Sequence, residues 1–116
     1  MRKIIVSTLA TLATTVALAT PARAAEPSPA VVLTTCATAY ATMAVFASPS
    51  SQAALKERSM RIMSVALDYN PDAAKVGLRL LEQNVARVRA NDPNIVNEIV
   101  GTEQYCRGYL PRFGIN

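Results

Sequence analysis

The 116-residue chain contains no histidine and no tryptophan. That excludes His-based hydrolytic triads, histidine-ligated haem, mixed Cys/His zinc sites and imidazole acid–base chemistry. Aromatic residues make up only 5% of the chain, too few for a base-stacking nucleic-acid platform. The two cysteines, Cys36 and Cys106, are far from a Cys-x-x-Cys arrangement, which argues against a thiol-redox centre. Charge is missing over one long stretch: no Asp, Glu, Lys or Arg occurs between Pro27 and Leu55. A surface helix rarely goes so far without charge.

The first residues read as an address. Arg2 and Lys3 form a positive n-region, Ile4 to Leu18 an uncharged and mostly apolar run, and Pro21 a helix break. Ala22-Arg23-Ala24 then puts small residues at the −3 and −1 positions of a cleavage point between Ala24 and Ala25. The expected organisation is a secretory signal over residues 1–24, a flexible leader over 25–29 and a helical domain over 30–116. The expected location is the periplasm or the exterior. The apolar run is short for a membrane span, which argues against a retained anchor. In the mature chain the four threonines of the first helix, its length near the lower limit and a disulfide between Cys36 and Cys106 argue against a stable span.

Removing the signal from the whole chain leaves 92 residues. Arg2, Lys3 and Arg23 leave with it, so nine basic residues face eight acidic ones, a net charge of about +1. The high isoelectric point belongs mostly to the export segment, and no basic surface for nucleic acid remains.

The mature chain divides at proline-containing junctions into four segments with helical periodicity. In the first, from about Ala30 to Ala47, Val32, Cys36, Ala39, Met43 and Phe46 share a face at 4-3-4-3 spacing. In the second, from about Ser50 to Tyr69, the apolar side is Leu55, Ile62, Met63, Ala66 and Tyr69. The third opens at Asn70-Pro71-Asp72, and its stripe is Ala74, Leu78, Leu81, Val85 and Val88. The fourth opens at Asp92-Pro93 and carries Ile95, Ile99, Thr102, Cys106, Tyr109 and Phe113, with Pro111 ending it and a short tail beyond. No run alternates with a period of two. Short connections make neighbouring helices antiparallel. The fold expected is an all-α, up-down-up-down four-helix bundle. A three-helix core with a loosely docked fourth helix is the nearest alternative.

Such a bundle brings the start of the first helix beside the end of the last. Cys36 lies about two turns from the one and Cys106 about one turn from the other, both on core stripes, which predicts a Cys36–Cys106 disulfide formed in an oxidising compartment.

The remaining candidates are fewer. Asp68 and Asp72 flank a turn, but helix capping and solvation account for them better than a metal does, and no metal or cofactor is expected. Lys75, Arg79, Glu82, Gln83, Arg87 and Arg89 form a polar face on the third helix. Helical enzymes of the chorismate-mutase type use such residues around an anionic substrate, which keeps a His-free enzyme as an alternative. Tyr40, Tyr105 and Tyr109 lie near the cysteines and offer a second alternative, a carrier of a small apolar ligand. The uncharged back face of the first helix, built on Thr34, Thr38 and Thr42, is a possible interface with another protein or a second copy, unless the helix is simply enclosed.

In size, export, helical content and cysteine count the mature chain resembles small bacterial periplasmic proteins. Among these are immunity proteins that block secreted cell-wall amidases and single-disulfide acid-stress chaperones. The likeness is architectural and assigns no residue. It implies a non-catalytic binding protein with a protein partner.

Overall fold

The computed structural model describes residues 27–116, so the signal over 1–24 and the Ala24–Ala25 cleavage point lie outside the described residues. Four helices follow one another: α1 Pro29–Phe46, α2 Pro49–Tyr69, α3 Ala73–Arg89 and α4 Ile95–Tyr109, with a 3-10 turn over Leu110–Phe113. The all-α, four-helix architecture expected from the stripes is the one found, with no strand among the described residues.

Local chemistry sets the helix ends. Ser28 accepts the Val31 N–H at 3.3 Å and Pro29 occupies the first turn, so the last two residues assigned to the leader start α1. Before α3, the Asn70 side chain accepts the Asp72 N–H at 2.9 Å. Before α4, the Asp92 side chain accepts the Asn94 N–H at 2.9 Å. Each turn therefore delays its helix by a residue or two relative to the sequence expectation. Asn91 ends α3 in the left-handed region (φ 58°), with Asn91 N–H bonded to Val88 C=O and Asp92 N–H to Arg87 C=O. That pair of bonds is a Schellman motif.

The same motif closes the chain. Gly114 has φ 74°, its N–H bonds to Pro111 C=O, and Ile115 N–H bonds to Leu110 C=O. The motif turns Ile115 back onto Leu110, and both are buried in the main core, at 2% and 0% exposure. The expected short tail is thus a packed element.

Helix α1 is the centre of the molecule. It packs on each of the other three, while α2 and α3, like α3 and α4, meet over only a few residues. The reason is compositional: a helix apolar all round buries itself all round. Among the described residues it is also the one helix long and apolar enough to cross a membrane; here most of it is buried inside the fold. Helices α2 and α4 run antiparallel to it, with Ser59 Oγ donating to Ala37 C=O at 2.6 Å and Tyr40 Oη to Glu103 at 3.0 Å. The Cys36–Cys106 disulfide ties α1 to α4, with Cα atoms 5.8 Å apart and both residues buried.

Of the two arrangements expected for Thr34, Thr38 and Thr42, enclosure is the one found and the possible interface is not: they are 3%, 5% and 0% exposed, covered by α3. Their chemistry is spent internally. Thr38 and Thr42 donate to the carbonyls one turn back, both at 2.8 Å, and Asn84 Nδ2 donates to Thr42 Oγ1 at 3.0 Å.

One expectation needs correction: which face of α3 is covered. The buried residues are Ala73 and Gly77, whereas Leu78, on the expected core stripe, is 59% exposed. A Cβ on Gly77 would lie 2.7 Å from Met63 Cε and 3.4 Å from Thr34 Cγ2. The absent side chain lets α3 press its small-residue face on the threonines. Ala74 and Leu78, at the start of the apolar stripe, are then turned into the gap beside α2, while Leu81, Val85 and Val88 stay half-buried.

Candidate functional site

That gap is an open groove of about 220 Å³. Its floor is α1 (Ala37, Thr38, Ala41), one wall is α2 (Ser59, Met60, Met63) and the other is α3 (Ala74, Gly77, Leu78, Leu81). The polar members have already been satisfied: Ser59 by Ala37 C=O and Thr38 by Thr34 C=O. What faces solvent is apolar, with Met60 at 67% and Leu78 at 59% exposure on opposite rims. On α2, Lys56, Met60, Met63 and Leu67 follow a 4-3-4 spacing; on α3, Ala74, Leu78, Leu81 and Val85 do the same. Met60 and Met63 of the first row and Ala74, Leu78 and Leu81 of the second line the trough.

A smaller groove of about 190 Å³ lies beside the disulfide, between Val31 and Val32 of α1 and Thr102 and Tyr105 of α4. The tyrosines do not gather into a pocket. Tyr40 is buried and donates to Glu103, with the Arg58 guanidinium 4.9 Å from its ring centre. Burial pushes its phenol above the usual tyrosine range; Arg58 opposes the shift and Glu103 adds to it. Tyr105 stacks on Tyr109 at 5.8 Å, and Tyr109 meets Phe113 at 5.3 Å, so these rings brace the C-terminal turn.

The polar face of α3 is divided. Arg87 is fully engaged: Nε holds Asp92 at 2.8 Å, and the two terminal nitrogens hold Glu98 at 2.7 and 2.9 Å. It clamps α3 to α4. Lys75, Arg79, Glu82 and Arg89 stand exposed, making no ion pair among the described residues. No group of three or more metal-binding side chains occurs among the described residues, and Asp68 and Asp72 belong to none.

The clamp has a pH signature. Arg87 holds the Asp92 and Glu98 carboxyls below their usual range, chiefly by hydrogen bonding. Lowered folded-state values mean that the stabilisation is present above the unfolded carboxylate pKa, about 4, and disappears as pH falls through the folded values. Glu98 is exposed and Arg87 and Asp92 are half-buried, so the effect is small and salt-sensitive. The thermal midpoint is expected to fall below about pH 4, and Arg87→Ala should flatten that acid limb. Superimposable pH profiles for the two proteins would rule the clamp out as its source.

Fold and site together define a small all-α protein, closed by one disulfide and opened on one side by an apolar groove. No protein-family model, curated protein or solved structure matches this chain.

Proposed function

We propose that this is an exported helical protein that works by binding another protein, without catalysis, in the periplasm or outside the cell. An immunity, inhibitory or stress-related role is the kind of activity such a binder performs. The observation that carries the reading is the groove: Met60 of α2 and Leu78 of α3 stand on its rims, apolar and more than half exposed. The disulfide fits an oxidising compartment and supports export.

Magnitudes favour this over the alternatives. Small-ligand sites enclose roughly 300–1,000 Å³ and bury most of their guest. A trough of about 220 Å³, open along its length, is sized for a few side chains of a docking partner. For a His-free enzyme on α3, Arg87 would have to leave three hydrogen bonds to meet a substrate.

A photo-crosslinking residue placed at Leu78, in the full chain expressed in its own host, tests the reading. A discrete adduct from position 78, absent when the same group replaces Glu57 on the outer face of α2, is expected. No adduct from 78 would overturn it. Recovered protein should also begin at Ala25.

A further inference from the structure

Resting on that reading, we infer that Met60 is a modification site. A hydroperoxide oxidises its thioether before any other side chain, and the sulfoxide so formed weakens docking in the groove.

Composition narrows the targets first. The chain has no histidine and no tryptophan, and both cysteines are held in the buried bridge. Methionine is then the one side chain left that a peroxide oxidises readily. Met1 belongs to the expected signal, which leaves Met43, Met60 and Met63.

The fold grades those three. Met60 is 67% exposed. Met43 and Met63 are half-buried and packed against the core, and Met63 Cε lies against Gly77. An oxidant therefore reaches Met60 first. The step is a two-electron oxygen transfer. A lone pair on the Met60 sulfur attacks the peroxide oxygen, the O–O bond breaks and an S–O bond forms. Sulfur is oxidised, the peroxide is reduced, and the other oxygen leaves with the proton as an alcohol, or as water from hydrogen peroxide.

Location gives the modification its consequence. Met60 forms the rim of the groove opposite Leu78. Its sulfoxide oxygen is a polar acceptor that a docked partner would cut off from water. Ser59 and Thr38, the groove-lining residues with side-chain donors, already give theirs to Ala37 C=O and Thr34 C=O. An acceptor buried without a donor costs free energy, so the modified groove holds its partner less tightly. Methionine sulfoxide reductases remove the oxygen as water with two electrons from a thiol pair, so the change reverses.

The test uses the mature protein with its disulfide intact and limiting hydrogen peroxide. Trypsin separates Met60 from Met63, because Arg61 lies between them. Mass mapping should show one oxygen gained on the Met60 peptide several-fold faster than on those of Met43 and Met63. Unfolding in denaturant should make the three rates converge. The protein oxidised at Met60 should melt within about 4 °C of the parent, as an exposed change does. A larger fall would place the oxygen in the core and overturn the site. The chain with the photo-crosslinking residue at Leu78 is then oxidised, freed of peroxide and illuminated in a periplasmic extract of its host. The adduct should fall roughly tenfold. Peroxide should cause the same loss in Met43→Leu/Met63→Leu and none in Met60→Leu. Oxidation of Met43 or Met63 first, or of all three at one rate, overturns the site. An adduct that survives oxidation of Met60 overturns its effect and leaves groove binding standing. No adduct before or after oxidation overturns groove binding itself, and the effect with it.

Discussion

Reducing the Cys36–Cys106 bridge, or replacing Cys106 with serine, is expected to lower the thermal midpoint by roughly 15–30 °C. The bond closes a loop of sequence separation 70. Cross-linking a loop of that length removes denatured-state entropy equivalent to roughly 4 kcal/mol. A domain of this size has a stability of only about 5–15 kcal/mol, so the loss is a large fraction of the whole. The bridge also joins the central helix to the last one, whose other ties to α1 are few. Without it, α4 and the C-terminal turn should separate first, and amide exchange should rise across Ile95–Ile115 before it rises in α2. Melting curves that coincide with and without reductant would show that the bridge contributes nothing. Because serine leaves a hydroxyl in a fully buried position, the Cys36→Ala/Cys106→Ala pair is the cleaner comparison.

The second large effect separates two leucines. Leu110→Ala is expected to destabilise the protein by about 2–5 kcal/mol, as a truncation in a fully enclosed site does. Leu78→Ala should change stability by less than about 0.5 kcal/mol. Leu110 has no exposed surface and packs in the main core, whereas Leu78 is more than half exposed at the groove rim. Denaturant melts of both variants decide it. Comparable losses would mean that the stripe of α3 is packed against α2 and that the groove does not exist. A neutral Leu110→Ala would mean that the C-terminal turn is undocked.

The contrast between these leucines shows how far the sequence could be read. Helical periodicity found all four helices, and the Asx turns at Asn70 and Asp92 were visible as cap-and-proline signals. The disulfide was legible because depth along a helix, face and topology each constrained it separately. The C-terminal turn was missed, although Leu110, Gly114 and Ile115 stand at the spacing of a Schellman motif with its apolar contact. Pro111 follows the end of α4 at Tyr109, as a helix stop does, and also sits in the first turn of a short 3-10 segment. The threonine face of α1 was read correctly as uncharged, but its cover, α3, could not be named from α1 alone.

The groove was half legible. Its α3 wall includes Ala74, Leu78 and Leu81 of the stripe the periodicity identifies, assigned to the core because an apolar stripe ordinarily has a neighbour. Nothing in that pattern says which neighbour.

From residue order alone came the helices, their caps, the export signal as an expectation and the pairing of the cysteines, because each depends on spacing within a segment or on the direction the chain must run. Only the packed molecule decided that α1 is the hub, that the threonines are covered, that the tail is core and that Leu78 of α3 faces outward. Those outcomes depend on how closely two helices approach. At the α1–α3 contact the approach is set by what Gly77 lacks meeting what Thr34 and Thr38 present, a relation between surfaces that no single periodicity contains.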